Sequence, residues 1–324
     1  MRRCVQSYSI LVAVLLVCIF IAIPNYFQRG KTQLIYIDRT GNKIATPLSV
    51  YVLNVLFPEE EVMNLGMKAI AFLPPAKLSP VFRNTGSSLI RDAQRDFWNG
   101  KALAFYAPYN KLSLQGSNPG SFAIAQACNE TIGSKYNGVY ITRPQHYDRN
   151  KEYPIVFFAH GYLGSWELYQ GLLSGLENCV IVSIGTRDLT GIFTYNDINR
   201  IFKEYLPLLK AEGYKIDMNH LHLIGLSNGG TASNIALRNF SDRFRTIVYV
   251  STSCDVVKHS RAKILMIGGG NDVSASNLPK VSKRLQRYGT KTAVFFNKED
   301  NHYIMVHKRK QIMEFLNQEM ELIS

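Results

Sequence analysis

Short β-rich runs follow one another after Tyr136: "GVYITRP", "YPIVFFAHG", "CVIVSIG", "LHLIGLS", "RTIVYVS", "KILMIGGG" and "KTAVFFNKE". Most are unbroken apolar runs, the pattern of strands covered on both faces rather than one. Helical patterns lie between several of them. From Asn196 to Glu212, for example, Ile198, Ile201, Phe202, Tyr205, Leu206 and Leu209 recur at the spacing of one helix face. Strand and helix in alternation predict a mainly parallel sheet with helices on both faces, joined by right-handed crossovers. Ligands of such sheets sit beyond the carboxyl ends of the strands, so the residues just after each run carry the functional interest.

The chain has 324 residues, 46% of them hydrophobic, enough for one large core with an N-terminal attachment. Its net charge of +13, from 37 basic and 24 acidic residues, is spread along the sequence. The densest stretch, Lys280 to Lys291, reads as a solvated helix face, and no nucleic-acid partner is expected. At the start, "MRRCVQSYSILVAVLLVCIFIAIPNYF" has a basic tip followed by apolar residues from Ile10 to Ile23. That is a signal peptide or a short signal anchor, with a buried core helix as the alternative. No small-x-small cleavage site precedes Pro24, and Val17 before Cys18 fits a lipoprotein box poorly. The expectation is an uncleaved membrane anchor with the body extracytoplasmic, periplasmic or extracellular. Secretion after cleavage is the alternative, since Arg29 and Lys31 blunt the charge asymmetry that would orient the segment. The predicted division is an anchor at 1–28, an unassigned region at 29–121 that could contribute first strands such as "TQLIYID", and the main α/β domain at 122–324. Cys128, Cys179 and Cys254 form no CxxC, so neither a metal site nor a disulfide framework follows; one bridge or three buried thiols would both fit.

"HLIGLSNGG" puts Ser227 between an apolar run and the helical pattern "NGGTASNIALRNF", in which Ala232, Ile235, Ala236 and Asn239 share a face. Strand, sharp turn and helix form the setting of a serine nucleophile, with Gly225 and Gly229 removing side chains that would clash. The helix N-terminus offers N–H groups to a developing negative charge. A serine hydroxyl needs a base, and the base needs an orienting carboxylate. Asp272 follows "KILMIGGGN", where the glycines let the chain turn sharply, and is the expected acid; Asp255 in "YVSTSCDVV" is its rival. His302 in "NKEDNHYIM" follows the last run and completes the order Ser, Asp, His. His307, one turn on, is expected to be exposed, and His259 precedes the strand that carries Asp272. In "VFFAHGYLGSW" the His-Gly pair lets the amide of Tyr162 point at an oxyanion, with the amide of Asn228 as second donor. Trp166 could line an acyl or aromatic subsite or simply pack in the following helix.

With those motifs in view, the stretch from about Tyr136 onward resembles the α/β-hydrolase superfamily. "YNGVYITRPQHYDRNKEYPIVFFAHGYLGS", "IGLSNGG", "GGGND" and "NHY" are similar to secreted esterases of the feruloyl-esterase, polyester-depolymerase and cutinase-like groups. The resemblance implies an α/β-hydrolase fold, Ser227 as nucleophile, His302 as base, Asp272 as acid, and the amides of Tyr162 and Asn228 as oxyanion hole. It departs in lacking the HGGG form after the early strand, and region 29–121 matches nothing in it. No P-loop, HExxH or GxGxxG after a strand is present. The "SRAK" match to S-x-x-K at Ser260 and Lys263 lacks its helical context, because Lys263 leads into a strand. The expectation is a serine hydrolase acting on small-molecule or polymeric esters without metal or cofactor. A peptidase or acyltransferase using the same triad and a catalytically silent membrane-anchored binding protein are the alternatives.

Overall fold

The computed structural model describes residues 32–38, 43–44, 136–144, 146–161, 172–186 and 192–322. The expected anchor at 1–28, Cys128, Tyr162 and Trp166 lie outside them. Among the described residues no helix is long and apolar enough to cross a membrane.

The apolar runs form one nine-stranded sheet. Its strands are β1 (Thr32–Asp38), β2 (Lys43–Ile44), β3 (Tyr136–Thr142), β4 (Tyr153–Ala159), β5 (Val180–Ile184), β6 (Ile216–Leu226), β7 (Thr246–Val250), β8 (Lys263–Gly269) and β9 (Thr292–Asn297). Their spatial order is β2-β1-β3-β5-β4-β6-β7-β8-β9. Pairing is antiparallel from β2 through β3 to β5 and parallel from β5 to β9. This is an α/β architecture with a mostly parallel sheet. β1, inside the region left unassigned at 29–121, pairs with β3 along all seven residues.

Every residue of β5 and β7 is buried. Both faces are covered because strand side chains alternate between them. Ile155 and Phe157 of β4 join one apolar cluster with Leu223, Ile247 and Ala232, whereas Val156 and Phe158 join a second with Ile224, Val248 and Ile312. On the first face lie α1 (Tyr195–Arg200), a π-helical turn (Ile201–Tyr205), α2 (Leu206–Ala211), α3 (Gly230–Asn239) and α4 (Leu278–Arg287). The second face holds α5 (Ile304–His307) and α6 (Arg309–Glu319). α1 starts at Thr194 in a capping box, with the Thr194 hydroxyl and Asp197 serving each other's backbone amides. The predicted helix over 196–212 is therefore real, with the π turn in its middle. In α3 the buried face is Ala232, Ser233, Ala236 and Leu237, continued by Phe240; Asn239 is exposed, because the buried stripe lies one position later than expected.

The order of β4 and β5 decides where a site can form. After β4 the chain moves outward to β5, and after β6 it moves the opposite way to β7. Between the carboxyl ends of β4 and β6 the connections diverge and leave a crevice. His160 and Gly161 follow β4 there, and Ser227 follows β6.

Candidate active site

Leu226 closes β6 in extended backbone (φ −104, ψ 127), and Ser227 then swings to φ 53. A non-glycine residue in the left-handed region is uncommon and signals a turn held by its surroundings. Here the surroundings are two glycines. A Cβ on Gly225 would stand 2.4 Å from the Gly229 carbonyl oxygen and 2.5 Å from the Ser233 hydroxyl. One on Gly229 would stand 2.1 Å from the carbonyl oxygen of Ala159 at the end of β4. The turn is thus pressed against both its own helix and the neighbouring strand. It continues as a 3-10 turn over Ser227–Gly229 into α3, with Asn228 in the first turn of that combined helix.

Ser227, His302 and Asp272, which follow β6, β9 and β8, meet in one hydrogen-bonded chain. The Ser227 Oγ lies 2.9 Å from His302 Nε2, and His302 Nδ1 lies 2.9 Å from Asp272 Oδ2. A carboxylate only accepts, so Nδ1 carries the proton and Nε2 accepts from the serine hydroxyl. Asp272 is 2% exposed, and its other oxygen, Oδ1, accepts the Ser274 amide at 2.9 Å. The imidazole is mostly covered, with 13% of its side chain exposed. Asp255, the rival acid, is exposed and near Asn234, whose Oδ1 accepts its amide at 3.0 Å and whose Nδ2 donates to its carboxylate at 3.4 Å.

Close packing between two loops brings Asp272 to His302. A Cβ on Gly269 would come within 2.2 Å of the Asp300 carbonyl oxygen, and one on Gly270 within 2.4 Å of that of Lys298. The Asn271 amide donates to the Asp300 carbonyl at 2.9 Å, and Asn271 Nδ2 to the Glu299 carbonyl at 2.9 Å. The chain also turns sharply here, the Asp272 amide donating to the Gly269 carbonyl at 3.2 Å, and it does so with none of Gly268, Gly269 and Gly270 at positive φ, so the glycines serve the close contact.

On the other side of Ser227, the backbone of Gly161 packs against it: a Cβ there would lie 3.2 Å from the Ser227 Cβ and 3.8 Å from its Oγ. His160 fixes the turn that leads into Gly161, donating from Nδ1 to the Gly161 carbonyl at 2.8 Å. Its ring meets Phe193 edge-on at 5.4 Å. Burial lowers the His160 pKa to about 4, so it stays neutral near pH 7. Thr231 ties a further loop to the turn, its hydroxyl donating to the Asn228 carbonyl at 2.9 Å and accepting the Phe193 amide at 2.8 Å. Tyr162 and Trp166, as candidate oxyanion donor and subsite wall, lie outside the described residues.

Other sequence candidates fall away from this chain. His307 is not exposed as expected: only 8% of its side chain is, because Nδ1 turns back to Asp300 Oδ1 at 2.9 Å. His259 is exposed and bonds the Tyr288 carbonyl at 3.0 Å. Ser260 is buried and donates to the Ala262 carbonyl, while Lys263 opens β8 and pairs with Glu319 at 2.7 Å. Lys280, Lys283, Arg284 and Arg287 are exposed on α4, a solvated face. Cys179 and Cys254 are free and buried, and burial pushes the Cys179 thiol up to about 12. Among the described residues no cluster of three His, Cys, Asp or Glu could hold a metal ion.

Sequence reading missed Thr231, the Asp300–His307 pair and Ser251, whose hydroxyl donates to the His302 carbonyl at 2.8 Å. The only signal available was position, since Ser251 directly follows β7 as Ser227 follows β6.

No family model and no curated protein matches the chain. Similar solved structures are esterases and peptidases. A thermostable esterase is 19% identical with a TM-score of 0.45, over 56% of this chain and 59% of its own. A CE1 ferulic acid esterase of Anaeromyces mucronatus is 21% identical with a TM-score of 0.42, over 56% of this chain and 85% of its own. The Pyrococcus horikoshii acylaminoacyl peptidase is 15% identical with a TM-score of 0.45, over 58% of this chain and 40% of its own.

Proposed function

We propose that this chain is a serine hydrolase that cleaves carboxylic esters through an acyl-enzyme on Ser227. The observation that carries this reading is the unbroken chain Ser227–His302–Asp272, with the serine on a left-handed turn at the crevice of the sheet. Ser227 Oγ attacks the ester carbonyl as its proton passes to His302 Nε2, and Asp272 stabilises the imidazolium through Nδ1–H. The tetrahedral oxyanion is held by the amide of Asn228 and, in the same proposal, that of Tyr162. His302 then gives its proton to the departing alkoxide oxygen and the C–O bond breaks, leaving the acyl group on Ser227. Water, deprotonated by His302, attacks the acyl carbonyl and releases the acid with Ser227 restored. Trp166 is proposed to line the acyl side, and no cofactor is needed. The apolar segment at 1–28 anchors the protein to a membrane, with the catalytic body on the extracytoplasmic side.

The test uses the full-length chain in detergent with a fluorophosphonate probe and a panel of nitrophenyl esters and peptide amides. Labelling lost in a folded Ser227→Ala variant, with ester but not amide turnover, supports the proposal. Amide turnover would make the protein a peptidase, transfer of the acyl group to an added alcohol in preference to water an acyltransferase, and an unlabelled wild type a binding protein.

A further inference from the structure

Ser227 and Ser251 occupy equivalent places. Strands β6 and β7 run parallel with Leu226 opposite Val250, so the two serines are the next residues of adjacent strands. Both leave the sheet in the left-handed region, at φ 53 and φ 50. Ser227 presents its hydroxyl to the imidazole of His302, whereas Ser251 presents its hydroxyl to the main-chain carbonyl of the same residue at 2.8 Å. Ser251 is fully buried, and its amide donates to the Ile267 carbonyl of β8 at 2.9 Å, which fixes the turn from the far side. An undistorted β7 would send side chain 251 onto the face that holds Tyr249, by strand alternation. The left-handed backbone redirects it.

We propose that Ser251 is a positioning residue that sets the depth at which the His302 imidazole lies between Asp272 and Ser227. The inference rests on the hydrolase reading above. Two contacts at the ring nitrogens define a line about which the residue is still free to swing. A third, at the carbonyl, fixes its place. Near His302, the bonds from the Tyr303 amide to Asn301 Oδ1 and from His307 to Asp300 Oδ1 stay within its own segment, while the Asn271 amide ties Asp300 to the loop that carries Asp272. Ser251 instead reaches His302 from a strand next to the one that carries Ser227, 51 residues away in sequence. Nucleophile and base are thereby referred to the same two central strands. Small errors in such placement are expensive for reaction rate, whereas they matter little for substrate binding.

Two substitutions separate the hydroxyl from the backbone. Ser251→Gly removes the hydroxyl and adopts φ 50 without steric cost, so the fold is retained; Ser251→Ala removes the hydroxyl and keeps the strained backbone. For both, kcat on an activated ester should fall about 10- to 100-fold with KM within about twofold of wild type. The downfield N–H proton resonance of the His302–Asp272 bond should shift or broaden in both variants. Unchanged kcat and resonance would overturn the inference, as would a loss confined to the alanine variant, which would assign the effect to strain. If the wild type is not labelled by fluorophosphonate, the hydrolase reading fails. The resonance needs no turnover and still decides whether Ser251 positions the ring.

Discussion

Replacing Gly229 by alanine separates steric from conformational reasons for a glycine beside Ser227. Gly229 sits at φ −60, ψ −13, ordinary right-handed helical backbone. Conformation alone would favour alanine there by up to about 1 kcal/mol. Yet the added Cβ would stand 2.1 Å from the Ala159 carbonyl oxygen and 2.7 Å from that of His160, where ordinary contact begins at 3.4 Å. Both are backbone atoms at the end of a central strand, so neither can turn aside as a side-chain tip would. The turn and β4 must separate by about 1 Å, judged from that shortfall. Overpacking of this kind costs about 1–3 kcal/mol, and rigid partners put Gly229→Ala at the upper end, about 3 kcal/mol. For a chain of 324 residues that lowers the melting temperature by roughly 4–5 °C. The same movement draws Ser227 away from Gly161, and a displacement of this order costs kcat up to about 100-fold. Circular-dichroism melting and ester turnover per folded molecule measure the two effects. Gly213→Ala is the control, because Gly213 has φ 86 and nothing within 4 Å of the added atom. It should lose about 1 kcal/mol to backbone strain with kcat unchanged. A Gly229→Ala protein that melts with the wild type and keeps its rate would refute the steric argument.

Asp272→Asn should lower kcat by about 10³- to 10⁴-fold while leaving the fold intact, because an amide cannot stabilise the imidazolium or hold its tautomer. Asp255→Asn, at a carboxylate away from the histidine, should stay within about twofold of wild type, and equal losses in the two variants would remove Asp272 from its assigned place. Acid sensitivity is expected from His222, which is fully buried in β6 beside Thr246 and whose pKa burial lowers to about 3 from 6.5. The unfolded chain takes up this proton below about pH 6.5 and the native state does not, so stability falls as pH drops from 6.5 toward 3. At pH 5 the loss amounts to about 2 kcal/mol. Urea midpoints measured from pH 7.5 to 5 should decline less steeply in His222→Gln than in wild type, and parallel curves would contradict the assignment.

The main elements of the region from Tyr136 onward were legible because each depends on neighbours in sequence. Apolar runs such as "CVIVSIG" and "RTIVYVS" are strands buried on both faces, and the stretch around Ile198 to Leu209 is helical, since period and hydrophobicity are local properties. The Ser, Asp and His candidates were legible for a related reason: each is a chemistry-bearing side chain in the loop or turn that follows a strand. Asn239 and His307 were misjudged, because a one-residue phase in a helix and a bond back to Asp300 are set by what packs nearby.

The amino-acid order alone determined which segments are strands, that helices alternate with them, and that Ser227, His302 and two rival acids, Asp272 and Asp255, follow strands. Only the tertiary structure decided that β5 slips between β3 and β4, that β1 joins the sheet across a long separation, and that Asp272 rather than Asp255 reaches His302. It alone aligned Ser251 with Ser227 and turned its hydroxyl to the back of the same histidine. The physical reason is range. Periodicity and backbone preference act over a few residues, whereas strand order, register and the interlocking of the loops at Gly269 and Asp300 follow from contacts between segments that meet only when the whole core closes.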